Sequence, residues 1–440
     1  MNQFTLLGQR RFGPFFITEA LAAFNDNAFR YAMVGMATFE MALSRGALNS
    51  YINLALALFI LPFFVLSAWV GQVAEKFEKA RLIVCIKVLE IVTMVLAGVG
   101  FLTANLDLLL VVLLLMGVLA TAFSPIKYAI VPQVLSDAEL TGGNGLVQSS
   151  TSLAILTGSL AGNALMAVPR IGPLLATGVV LAVALAGLVS SLFIPKAPAT
   201  APELKFNFNL VGETARLIGH VRHERTVFWA VIGVSWFWFF GATLTTQAPA
   251  YARDYLGGDA SVLNLVLVLF SVGVGIGSLL CEKLSHRRLN PGLMPLGALG
   301  MSAFGIDLYF ARPARSEVGG LDWLDVLHGA GGWHIALDLI LVGVFAGLYI
   351  VPMFTLVQHR SEPHRLSRVI AGNNVFNSLF MVLAAALGIA APHLGLNVPQ
   401  LIAVVCLLNL LVLALLCWRV TEFWQRFVDW CRRRPSPPHA

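Results

Sequence analysis

Twelve apolar stretches dominate this chain, each long enough, at about 20 residues, to cross the roughly 30 Å hydrocarbon core of a bilayer. They fall near residues 15–40, 50–74, 81–103, 106–130, 144–167, 172–194, 227–250, 260–282, 291–311, 334–357, 369–391 and 398–419. In hydrocarbon every backbone N–H and C=O must be satisfied internally, so such a chain can fold only as a bundle of membrane-spanning helices. Composition excludes the alternative of a soluble domain: 58% of residues are hydrophobic and 12% charged, against about 25% charged in soluble proteins. The mean hydropathy is +0.80.

Arg10 and Arg11 precede the first stretch, but that run is too long for the apolar part of a signal peptide and has no small-residue cleavage site. It is expected to remain as a helix. With the N-terminus in the cytoplasm, only Arg45, Arg170, Arg253, Arg312 and Arg315 of the 29 Lys and Arg fall in outer loops. This bias predicts cytoplasmic N- and C-termini by the positive-inside rule. The net charge of +6 then reflects topology and anionic inner-leaflet lipid, with Arg432-Arg433-Arg434 as an interfacial anchor, and calls for no nucleic acid. Cys85, Cys281, Cys406 and Cys417 lie in or beside spans and Cys431 in the tail, so the cysteines are expected reduced, with no metal site among them.

The least apolar internal stretch, Pro195 to Thr226, divides the chain into an expected six-helix bundle at 1–194, a cytoplasmic linker at 195–226, a second six-helix bundle at 227–419 and a cytoplasmic tail at 420–440. In the linker Leu210, Thr214, Leu217, Ile218 and Val221 recur at helical spacing, which predicts a short amphipathic helix at the membrane surface or a plain tether. The halves echo each other. Gly71-Gln72-Val73-Ala74-Glu75-Lys76-Phe77-Glu78-Lys79-Ala80-Arg81 follows the second span, and Gly277 leads to Glu282-Lys283-Leu284-Ser285-His286-Arg287-Arg288 after the eighth. Ile130-Val131-Pro132 before Gly143-Asn144 is matched by Ile350-Val351-Pro352 before Gly372-Asn373.

Two parallel six-helix halves with a basic, Gly-led turn after the second span resemble the major facilitator superfamily over nearly the whole chain. The resemblance implies an all-α polytopic fold of 12 transmembrane helices in two pseudo-symmetric halves. It also implies a conformational latch at Gly71, Glu75 and Arg81, with Glu282 and Arg287 in the second copy. The turn departs from the family pattern, with Glu75 where Asp is usual and Glu78 in place of a second Gly, so a solvated loop with positive-inside anchors stays open as the plainer reading.

Glu19, Ala23, Asp26 and Arg30 share one face of the first span, where Asp26 and Arg30 are spaced to pair with acid preceding base. Charges here are costly and usually face a cavity. Asn25 and Asn27 flank the pair, and the whole group could equally lock the first span against the fifth. Lys87 and Glu90 lie one turn apart on the third span, and snorkelling or a structural ion pair would account for them. In Ser124-Pro125-Ile126-Lys127-Tyr128 proline removes a backbone donor and is expected to bend the fourth span just before Lys127, which is placed to hold a phosphate or to snorkel.

Asn144 and Gln148 near the start of the fifth span, and Asn373, Asn374 and Asn377 near that of the eleventh, can bond a polar ligand or other helices. Gly158 with Gly162, and Gly273 with Gly277, are spaced for close helix packing. Trp236-Phe237-Trp238-Phe239-Phe240, followed by Gln247, would line an acyl-chain path or fill lipid-facing volume. Enzyme signatures are poor: no phosphate-binding loop, nucleophile elbow or HExxH occurs. His334 and Asp338, four apart, are by themselves a weak metal signal, and no metal, cofactor or catalytic residue is expected.

Six segments together resemble one branch of the superfamily, the bacterial lysophospholipid transporters (LplT) and the transporter half of their fusions with acyltransferase and acyl-carrier-protein synthetase domains. They are Ala23-Phe24-Asn25-Asp26-Asn27, Gly71-Gln72-Val73-Ala74, Ser124-Pro125-Ile126-Lys127-Tyr128, Gly142-Gly143-Asn144-Gly145-Leu146-Val147 with Leu153-Ala154-Ile155-Leu156-Thr157-Gly158, Ser235-Trp236-Phe237-Trp238-Phe239, and Gly372-Asn373-Asn374. The resemblance implies flipping of lysophosphatidylethanolamine-like lipids from the outer to the inner leaflet of the bacterial inner membrane, for re-acylation by a separate acyltransferase. The residues suit such a headgroup. Arg30 or Lys127 would hold the phosphate, with Asp26, Asn25 and Asn144 around the amine and the tail in lipid or along the aromatics. A proton-coupled exporter of amphiphilic drugs or small solutes, with Asp26 or Glu90 as proton carrier, is the alternative. A scaffold recruiting acyltransferases is a third.

Overall fold

Proline in the first turn of a helix forfeits no hydrogen bond, since the first N–H groups have no intrahelical partner. Pro14, Pro173 and Pro399 open α1 (Gly13–Gly35), α7 (Gly172–Ser191) and α15 (Val398–Arg419) in this way. The structure, a computed structural model, describes residues 3–41, 45–286, 288–311 and 320–432. The remaining helices are α2 (Arg45–Val65), α3 (Ser67–Lys76), α4 (Lys79–Leu102), α5 (Leu106–Val134), α6 (Asp137–Met166), α8 (Leu210–His223), α9 (Arg225–Ala250), α10 (Ala260–Leu284), α11 (Leu293–Phe310), α12 (Trp323–His328), α13 (Gly332–Arg360), α14 (Leu366–His393) and α16 (Thr421–Cys431). Among the described residues the sole β feature is an isolated bridge between Gly258 and Leu321.

Nine of these helices are long and apolar enough to cross a membrane, and α2 with α3 forms a tenth span bent by 53°. Pro62 lies inside α2, the Leu66 N–H reaches back to the Pro62 carbonyl, and Ser67 Oγ donates to the Phe63 carbonyl at the break. With α1 and α6, of 23 and 30 residues, the set is the twelve spans expected. These two are the more polar because they carry the Asn, Asp and Gly motifs. α6 begins at Asp137, two turns before the apolar run, with Asp137 and Glu139 in its first turn, where acids complement the helix dipole.

Two compact units emerge, and they cut across the sequence halves. The first comprises Met1–Ser136, Leu153–His223 and Ser361–Ser378; the second comprises Asp137–Ser152, Glu224–Arg360 and Leu379–Ala440. α6 and α14 therefore each begin in one unit and end in the other. In the first unit Phe29, Met33 and Met36 of α1 pack with Met94 and Phe101 of α4, Leu113 and Met116 of α5 and Val180 of α7. The linker is more than a tether: Leu217 of α8 packs with Ala68 of α3 and Ala371 of α14. Gln72 and Asn207 exchange bonds of 2.8 and 3.1 Å with each other's backbone, and Glu75 O accepts from Thr200 and Ala201. In the second unit α10 and α13 meet through glycines, a Cβ at Gly273 running into the Ile340 carbonyl and one at Gly277 into that of Val344.

Candidate functional site

α1 presents two adjacent stripes. Ala28, Phe29, Ala32 and Met33 face the core, while Asp26 and Arg30 lie one turn apart on the next stripe, partly open. The pairing their spacing offers is not made. Arg30 Nη2 donates to Asn27 Oδ1 at 2.7 Å, and its guanidinium lies 5.3 Å from the Tyr31 ring centroid and 6.0 Å from that of Phe59. Asn27, backbone-bonded to Ala23 O, thus takes the place Asp26 would have had. Among the described residues Asp26 has neither a hydrogen bond nor an ion pair.

The other charges deep in this unit are paired. Lys87 Nζ lies 2.6 Å from Glu90 Oε2, and Glu90 Oε1 accepts from Asn25 Nδ2 at 2.9 Å. Gly187 of α7 leaves the room that Lys87 fills. Asn25 is fully buried and committed to this network. Lys127 donates to Glu19 across α5 and α1, both buried, so in this structure its charge is met by a carboxylate of the same unit. α5 runs on through Pro125 and Pro132.

The amides divide between the units in matching fashion. In the second unit Asn144 of α6 donates to Thr355 Oγ1 at 3.1 Å and to Gln358 Oε1, both on α13. In the first, Asn374 of α14 and Ser124 of α5 exchange bonds of 2.9 and 3.2 Å. Asn373 is 1% exposed and neither of its side-chain atoms has a hydrogen bond. Gln148 and Asn377 are buried. Trp236 is a core residue: Nε1 donates to Asn409 at 2.7 Å, Asn409 in turn bonds Ala298 O and Ser302, and the indole stacks on Phe239. Trp238 is partly open, and Gln247 packs against Gly388.

Of the residues expected to form a latch, Gly71 and Glu75 of α3 both meet α14. A Cβ at Gly71 would lie 2.9 Å from Ala371 Cβ, and Arg368 donates to Glu75 through Nε at 2.7 Å and its backbone N–H at 3.2 Å. Glu75 is fully buried. Arg81 is not joined to it: its side chain is 84% exposed beside Glu78, which caps α4. Glu282 sits in the last turn of α10, and Arg287 lies outside the described residues. Sequence reasoning does not find Arg368 as the partner of Glu75, since no local signal marks a residue 293 positions away. Glu19 lies on the face its spacing predicts, but its pairing with Lys127 comes from tertiary packing alone.

The family model described as Major Facilitator Superfamily matches residues 15–385. The chain belongs to the Major Facilitator Superfamily. Superfamily members of the same architecture include the Escherichia coli fucose:proton symporter FucP, with a TM-score of 0.69 at 14% identity over 93% of this chain and 99% of that one. The human organic anion transporter MFSD10 gives 0.68 at 14%, over 92% and 99%. In sequence the chain is 29% identical to the lysophospholipid transporter LplT of Cronobacter sakazakii over 394 residues, 87% of this chain and 89% of that one. It is 27% identical to LplT of Escherichia coli over 415 residues, 92% and 94%. The protein is thus a multi-span membrane transporter of this superfamily and not an enzyme.

Proposed function

We propose that the protein moves lysophospholipids across a bacterial inner membrane by alternating access, from the outer to the inner leaflet. The observation that carries this reading is the charge inventory of the first unit. Of Glu19, Asp26, Arg30, Lys87, Glu90 and Lys127, four combine into the pairs Glu19–Lys127 and Lys87–Glu90, leaving one acid and one base a turn apart and joined to no other charge among the described residues. Leaving opposite charges unpaired in a spanning helix is expensive, by insertion scales about 2.5–3.5 kcal/mol each, and a ligand bearing both signs offsets it. A lysophosphatidylethanolamine head is such a ligand: the phosphate goes to Arg30 through charge-assisted bonds and the ammonium to Asp26, with Asn27 orienting the guanidinium. Lys127 reaches a phosphate only by leaving Glu19. The similarity over most of the chain to proteins named lysophospholipid transporters supports the same substrate. Re-acylation by a separate acyltransferase completes the proposal.

Transfer of labelled lysophosphatidylethanolamine into vesicles containing only this protein tests it. Asp26→Asn and Arg30→Gln are each expected to lower the rate at least about 10-fold, the loss of one charge-assisted contact of roughly 1.5–3 kcal/mol, with the purified variants still folded. Parent-like rates in both would remove these residues from the site. Asp26 without a partner also suits the alternative, a proton-coupled exporter of amphiphiles, and an imposed pH gradient that drives transfer would favour it.

A further inference from the structure

Asp307 of α11 and His334 and Asp338 of α13 come together in the second unit, 27 residues separating Asp307 from His334 in sequence. His334 Nε2 lies 2.9 Å from Asp307 Oδ2 and 3.5 Å from Asp338 Oδ2, and the three ligand atoms all fall within 4.8 Å of one another. One nitrogen thus faces two carboxylate oxygens. Its single N–H is spent on Asp307, and Asp338 Oδ2, on a side chain only 2% exposed, is left without a hydrogen bond. A buried carboxylate in that condition is costly, and native proteins rarely leave one so unless something else binds it.

We infer that this triad is a binding site for a divalent transition-metal ion of the zinc class, independent of the headgroup site on α1. Imidazole with two carboxylates is a ligand set that suits such ions, and three protein ligands leave a position for water. Bonds of about 2.0–2.2 Å in tetrahedral arrangement place ligand atoms roughly 3.3–3.5 Å apart, so the spacings of 2.9 and 3.5 Å need adjust by only a few tenths of an ångström. On binding, Nε2 gives its proton to solvent and its lone pair to the metal, while Asp307 and Asp338 each contribute an oxygen. The helices hold the geometry: at Gly297 the backbone of α11 approaches that of α13 so closely that a Cβ would lie 2.6 Å from Tyr349 N. Two ligands one turn apart on α13 and one on its packed neighbour make a site on rigid elements. His334 and Asp307 side chains are 49% and 44% exposed, which gives the ion a way in.

Full-length protein in detergent micelles, titrated with zinc against a chromophoric chelator, tests the assignment. The parent is expected to take up one zinc tightly, and cobalt in its place to give the intense visible bands of low-coordinate Co2+. Even outer-shell changes at metal sites cost about 10- to 100-fold in affinity, so His334→Gln and Asp307→Asn, which lose a direct ligand, should weaken zinc by at least that much and abolish the cobalt bands. Both positions are half-exposed, and elution as a single species with parent-like lysolipid transfer shows that the variants fold. Zinc uptake by the parent no greater than by the two variants would overturn the assignment. So would cobalt spectra unchanged by both substitutions.

Discussion

Lys87 shows how a lysine is tolerated where water is absent. It is 1% exposed, contacts Glu90 at 2.6 Å and lies 5.8 Å from the Phe123 ring centroid. Such a pair adds little net stability, because desolvation consumes most of the Coulomb gain, yet removing one partner strands the other charge. Glu90→Ala is therefore expected to destabilise the protein by about 3–5 kcal/mol, whereas Lys87→Met combined with Glu90→Leu should restore most of the loss. Thermal unfolding of both variants in micelles measures this, and a double variant as unstable as the single one would show that the pair has a role beyond charge balance. Asn25, which also bonds Glu90, loses an acceptor in either variant, so the recovery should be incomplete.

Glycine spacing sets how near α6 comes to α1. A Cβ at Gly158 would meet the Phe24 carbonyl, and one at Gly162 the Ala28 carbonyl, with Ala32 N at 2.8 Å. The contact brings α6 against the turns that carry Asp26 and Arg30, so stability and site geometry depend on the same atoms. Gly162→Val should cost about 1–3 kcal/mol by overpacking and slow lysolipid transfer. Gly178→Ala on α7, where nothing lies within 4 Å of the new methyl, should be neutral or stabilise by up to roughly 1 kcal/mol through helix propensity. Melting temperatures of the two variants measure the contrast, and equal effects would rule out close packing as the reason for Gly162. Spans such as α4, α10 and α15 were legible because long apolar runs admit one reading in a bilayer, and the small-residue spacing of Gly158 and Gly162 was legible because it follows helical periodicity. The break between α2 and α3 was not, since Pro62 lies within an unbroken apolar run. Nor were Arg368 opposite Glu75 or Asp307 beside His334, because those pairings are made by tertiary packing between residues far apart in the chain.

At the scale of the molecule the repeat reappears as an exchange. α6 starts in the second unit, where its Asn144 bonds Thr355 and Gln358 of α13; α14 starts in the first, where its Asn374 bonds Ser124 of α5. α5 and α13 are the fourth spans of their sequence halves, and α6 and α14 the fifth, so each half contributes the start of its fifth span to the unit that holds the other half's fourth. The sequence signalled this through the paired Pro132 and Pro352 segments without saying which helices the amides would bond. Interhelical hydrogen bonds in membranes average only about 0.6 kcal/mol, so neither amide contact is strong enough to resist rearrangement. The contact between Glu75 and Arg368, charged, bidentate and buried at the carboxylate, is the firmer tie between the halves of the sequence within the first unit. If transport requires α3 and α14 to part at that point, fixing them together must stop it. Glu75→Cys combined with Arg368→Cys, bridged by a short reducible bis-thiol reagent, is expected to lose lysolipid transfer to background and regain it on reduction, while each single variant treated alike keeps transferring. Native Cys85 and Cys431 are exposed and react with the reagent as well, so the single variants carry the comparison. Undiminished transfer by the bridged protein would mean that α3 and α14 stay together throughout the cycle, and the latch would have to be sought elsewhere.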